Sequence, residues 1–201
     1  MTERSAAGLD AVSEILPHAE RLPHTRTSLL LRRGFDALNG AISWLWVGLV
    51  AVVMLNVLLR YLFGEGRVEF EEIQWHLYSI GFLLGLSACL DADDHVRVDV
   101  LRERFGLRGQ AWIELYGLLL LFFPFVALVL WYSVPFVEYA FSSGERSDAP
   151  GGLGMRWLIK AVIPLSMVLL AVAGWGRLTR VTACLFNAPT PVTREDRDVG
   201  Q

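Results

Sequence analysis

Cysteine is almost absent from this chain. Cys89 and Cys184 are the only two, far apart and each in or beside an apolar run, so neither a disulfide framework nor a CxxC metal pair can be built from them. They read as small packing residues. Histidine is nearly as scarce, with four in the chain. His18, His24 and His95 fall outside every apolar run and only His76 lies within one, which argues against a bis-histidine haem site, because such a site needs two axial ligands at matching depth. The most telling shortage is of charge. Asp, Glu, Lys and Arg make up 19% of the residues, yet they are missing from the body of four stretches, Ile42 to Phe63, Ile73 to Leu90, Trp112 to Val137 and Trp157 to Trp175.

What fills those stretches is oil. Hydrophobic residues supply 54% of the chain and mean hydropathy is +0.43, too apolar for an ordinary soluble domain. A bilayer core takes about 20 apolar residues to cross as a helix, so each stretch qualifies as a span. The sequence predicts an all-α membrane protein with four transmembrane helices. Residues 1–33 form a polar N-terminal segment, 34–186 the membrane domain and 187–201 a polar tail. Pro17, Pro23 and several charges break up the apolar residues of the head, which does not read as a secretory signal and leaves the first span as an uncleaved anchor. Before that span, Leu30, Leu31, Phe35 and Leu38 fall near one helical face. That suits either a short amphipathic helix lying in the interface or the start of the span itself.

Arginine orients the bundle. Arg21, Arg26, Arg32 and Arg33 precede the first span, Arg97, Arg102, Arg104 and Arg108 separate the second from the third, and Arg177, Arg180, Arg194 and Arg197 follow the fourth. The two other connections hold only Arg67, Arg146 and Arg156. By the positive-inside rule both termini and the connection between spans two and three are expected in the cytoplasm. The net charge of −3 decides little, and no nucleic-acid partner is expected.

Inside the spans, Trp44, Trp46, Trp75, Trp112, Trp157 and Trp175 sit near the ends, where an amphipathic ring belongs. His76, beside Trp75 and Tyr78, reads as another interfacial packing residue. Gly81, Gly85 and Cys89 recur at every fourth position and give span two a face without bulk, suited to close approach by another helix. Pro124, Pro135 and Pro164 remove backbone donors and invite kinks. Arg60, Glu114 and Lys160 stand within a turn or two of a span end, where long side chains can reach water. No acidic or basic residue lies at mid-depth, so the chain alone is poorly equipped to bind a coupling ion or an anionic substrate there.

Two polar stretches remain. "RVEFEEIQW" puts Glu69, Glu71 and Glu72 in the first turn of span two, where carboxylates are favoured by the helix dipole or can meet a basic group on a partner. "DDHVRVDVLRERF", Asp93 to Phe105, offers metal ligands, but a calcium loop starting at Asp91 would have Val96 where glycine is needed and Arg102 where glutamate is needed. Zinc would want further His or Cys. His95, Arg97 and Asp99 alternate with valines, the pattern of an extended piece with one apolar side. Asp99 can then cap a short interfacial helix carrying Leu101 and Phe105.

Taken in order, "RYLFG", "EFEEIQWHLYSIGFLLG", "DDHVRVDVL" and "GGLGMRWLIKAVIP" resemble the small membrane subunit, DctQ-like, of tripartite ATP-independent periplasmic (TRAP) transporters, over most of the chain from Arg60 to Pro164. The resemblance implies four spans with both ends inside, a bacterial inner-membrane location and a non-catalytic scaffold role without cofactor or metal. The expected partners are a large multi-span permease that holds the ion and substrate sites, a periplasmic binding protein that delivers a small organic acid, and the membrane lipids. Glu71, Glu72, His95, Arg97 and Asp99 match the family's polar positions. With Gly81 and Gly85 they are the candidates for structural or subunit-interface roles. Two other classes compete: a respiratory-enzyme anchor, which would want a second haem ligand, and a homodimeric four-helix exporter, which would want an acidic residue deep in a span.

Overall fold

The computed structural model describes residues 25–64, 66–92 and 107–186. Among them there is no strand. The elements are α1 (Arg26–Phe63), α2 (Val68–Ala92), α3 (Leu107–Tyr116), a π-helical stretch Gly117–Phe122 that runs on into α4 (Phe123–Ser142), and α5 (Arg156–Phe186). With α3 and α4 joined in one rod, four helices are long and apolar enough to cross a membrane, the all-α architecture that the charge pattern predicts. The segment from Asp93 to Phe105, with His95, Arg97 and Asp99, lies outside the described residues, as do the polar head up to His24 and the tail beyond Phe186.

Helix α1 is longer than its apolar run. Its 38 residues at 1.5 Å each reach about 57 Å, against a hydrocarbon core of about 30 Å. The stretch before Ile42 is therefore the beginning of one continuous helix, not a separate interfacial one. Thr25 starts it with a reciprocal cap. Its Oγ1 accepts from the Ser28 amide at 3.3 Å, while Ser28 Oγ accepts from the Thr25 amide at 3.0 Å. Gly64 ends it at φ +70°, the left-handed stop that glycine adopts without a Cβ penalty. Between these ends, besides Leu29 and Gly48, the residues withdrawn from the surface step by three and four: Ser28, Leu31, Phe35, Leu38, Ile42, Leu45, Leu49, Val52, Asn56 and Leu59. That 3.5-residue period is the seam of a helix that stays in contact with its neighbours over its whole length.

Helix α5 is the axis of the bundle and touches every other helical element. It too outruns its expected end at Trp175, because Gly176, Arg177, Arg180, Val181 and Ala183 are buried against α1 and α3. Where α3 meets α4 the helix widens into six residues of π-helix ending two residues before Pro124. Proline has no N–H to donate and its ring crowds the carbonyl four residues back, so a wider turn there relieves the clash. The consequence is a placed ring. Phe122, at the end of the π-stretch, packs on both core clusters, Ala111/Leu115/Leu118/Val181 and Phe35/Leu90/Ala173, and lies against Gly174, where any Cβ would collide with it. Pro135 and Pro164, by contrast, sit inside uninterrupted α-helix.

Candidate functional site

The connections α1–α2 and α4–α5 share one end of the bundle, called here the hairpin end. There Glu72, one turn into α2, holds the α4–α5 loop. The Leu153 amide donates to its Oε2 at 2.6 Å and the Ser147 hydroxyl donates to its Oε1. One turn on, His76 Nδ1 lies 2.5 Å from the Glu72 carbonyl oxygen, which can only accept, so Nδ1 donates to the backbone of its own helix. The loop can take this path because Gly151 adopts φ +81° and Gly152 has no side chain to strike Ser147. Next to it Glu145 accepts from Lys160 at 2.5 Å and faces Arg156 at 3.9 Å, while the Lys160 ammonium stands 4.0 Å from the centre of the Phe136 ring. Glu72 thus works within the chain, and Lys160, which the sequence lets reach for water, is tied down between α4 and α5.

At the opposite end lies what sequence reasoning missed. Arg177 and Arg180 count there as positive-inside arginines that follow the fourth span, but in the fold they are 4% and 6% exposed on the inner face of α5. Arg177 forms an ion pair with Glu114 of α3. Alongside, the buried Thr25 hydroxyl meets that of Thr179 at 3.1 Å, tying the start of α1 to α5. The signal was in the spacing: Ala173, Gly176 or Arg177, and Arg180 follow the same three-and-four step as the buried small residues around them. A count of arginines per connection cannot see on which face each one stands.

The small face of α2 divides. Gly81 is packed inside the chain, with Leu45 Cδ2 at 3.1 Å and the Trp46 ring at 3.2 Å from the position a Cβ would take. Gly85 has nothing within 4 Å of that position. Glu71 is exposed and forms no ion pair among the described residues; it lines two clefts at the hairpin end. One, about 420 Å³, runs towards Ser147 and Arg156; the other, about 400 Å³, lies between α1 and α2 beside Leu49, Val53, Asn56, Gln74, Trp75 and Tyr78. No group of His, Cys, Asp and Glu able to hold a metal occurs among the described residues.

A family model described as "Tripartite ATP-independent periplasmic transporters, DctQ component" matches residues 49–184, well over half of the chain. The chain belongs to the DctQ family. It is a TRAP transporter small permease component and a multi-pass membrane protein. No curated protein is matched by the chain. The DctQ match begins inside α1 at Leu49 and ends near the foot of α5, so it takes in Glu72, its loop, Glu114 and Arg177, and leaves out the first half of the α1 seam.

Proposed function

We propose that this DctQ component is the scaffold subunit of a transporter that takes up a small organic acid using an ion gradient, with the large permease holding both ion and substrate. The observation that carries this reading is where the chain's membrane-end charges go. Glu114 is paired with Arg177, joining α3 to α5, and Lys160 with Glu145, fastening α5 to the loop that precedes it. Charged groups kept in a membrane for transport face a pathway; these are used to fasten the chain to itself. By the positive-inside rule this reading takes the hairpin end to lie outside and both termini in the cytoplasm of a bacterial inner membrane. The Glu72 loop then faces the side from which a binding protein arrives.

The test is reconstitution with the permease and binding protein encoded beside this chain. Permease and subunit are expected to co-purify. Gradient-driven uptake of a carboxylate substrate into proteoliposomes should require all three proteins. Permease that transports at an undiminished rate without this subunit would refute the scaffold role.

A further inference from the structure

From Val68 to Asp91 the only exposed residues of α2 are Glu71, Trp75, Tyr78 and Phe82, at steps of four, three and four. Gly85 and Cys89 continue the same line at steps of three and four, both partly exposed. Apart from Ala92 at its very end, everything else on α2 is covered at least in part, so its open surface is a strip one residue wide. Helix α4 is different: Phe125, Leu128, Trp131, Tyr132, Phe136 and Tyr139 spread its exposed surface over more than one face, as suits contact with lipid. The α2 strip has the 3.5-residue period of a coiled-coil seam. It runs over 19 residues, 18 rises or about 27 Å, nearly the thickness of a bilayer core.

The strip is graded in both bulk and polarity. At the hairpin end, Trp75, Tyr78 and Phe82 are 70%, 50% and 52% exposed, and towards the other end Gly85 leaves a depression. The cleft beside the aromatic end carries Asn56, Gln74 and the unpaired Glu71, and Gln74 Nε2 is buried there without an acceptor. An acyl chain can fill a groove but offers nothing to an amide or a carboxylate. Another helix can: its side chains fit the seam, and a polar residue near its end meets the cleft.

We infer that the strip from Glu71 to Cys89, walled on one side by α1, seats a single transmembrane helix of the large permease. That helix carries a basic residue opposite Glu71 and crosses α2 most closely at Gly85. This rests on the scaffold reading above and names the surface through which it acts.

The experiment uses the full chain co-expressed with its permease, with a photoreactive phenylalanine analogue placed singly at Tyr78, Phe82, Leu128 or Trp131. Adducts with one permease helix from positions 78 and 82, and none from 128 and 131, are expected. Phe82→Ala should weaken co-purification by about tenfold, the scale of a buried aromatic anchor, and leave the thermal stability of the isolated chain unchanged. Adducts from 78 and 82 to lipid or to a second copy of this chain would overturn the inference. So would permease adducts from 128 and 131 alone; in both cases wild-type co-purification would leave the scaffold reading standing. Loss of wild-type co-purification would bring down both.

Discussion

Replacing Glu114 by Gln takes the Glu114 carboxylate away from the Arg177 guanidinium, which is 4% exposed. Removing one member of a buried ion pair typically costs about 3–5 kcal/mol, because the remaining charge is stranded away from water. Arg177 stands 21 residues after the start of α5, about 31 Å along it, which places the pair near a bilayer boundary and favours the lower figure. A loss of about 3 kcal/mol in a chain of this length corresponds to a fall in Tm of about 6–12 °C. The assay is thermal unfolding of the purified chain in detergent, followed by size exclusion with fluorescence detection. Glu114→Gln/Arg177→Gln should recover much of the loss, since the guanidinium that lost the carboxylate is then gone as well. If Glu114→Gln lowers Tm by less than about 2 °C, or the double variant is simply additive, the pair is not what joins α3 to α5.

Gly81→Leu must displace Leu45 and the Trp46 ring and should lower the Tm of the isolated chain, whereas Gly85→Leu meets open space and should leave Tm unchanged while reducing association with the permease. Gly174→Ala should cost about 1–3 kcal/mol by collision with the Phe122 ring, and Phe122→Leu introduced in the same chain should restore part of it. Glu72→Ala frees the Leu153 amide and the Ser147 hydroxyl, so trypsin should cut after Arg146 faster than in the parent chain, with circular dichroism unchanged.

The four spans were legible because lipid excludes charge, and a run such as Trp112 to Val137 has few other places to go. The ends were not. Hydropathy stops at the first arginine, but Arg177 and Arg180 continue α5 because Glu114 and close packing receive them on one face. The same blindness hid the α1 seam: Leu45, Val47, Leu49 and Val50 are equally apolar, and only contact with α2 and α5 divides them into inner and outer residues. Of the candidate site, the residue types were visible but not their partners. Glu72 could not be told from Glu71 by sequence. One turn of the α4–α5 loop, bent at Gly151, gives Glu72 two donors and leaves Glu71 open. His95, Arg97 and Asp99 lie outside the described residues.

In lipid the hydrophobic effect does not press helices together, since an acyl chain is as good a neighbour as a leucine. A four-helix subunit must therefore be held by close contact and by polar ties, and this chain puts the two in different places. The ties lie at the ends: Glu72 and Glu145 at the hairpin end, Glu114–Arg177 and Thr25–Thr179 at the other. Between them Gly81 and Gly174 let bulky rings approach the backbone. Helix α5 takes part at both ends and α2 at one, which fixes the orientation of α2 about its own axis. That fixed orientation gives the Glu71-to-Cys89 strip its value to a partner. A helix docking there meets a surface already held in place, so little ordering opposes association. Loosening either end tie should then weaken permease binding through α2 even though no residue of the strip forms either tie.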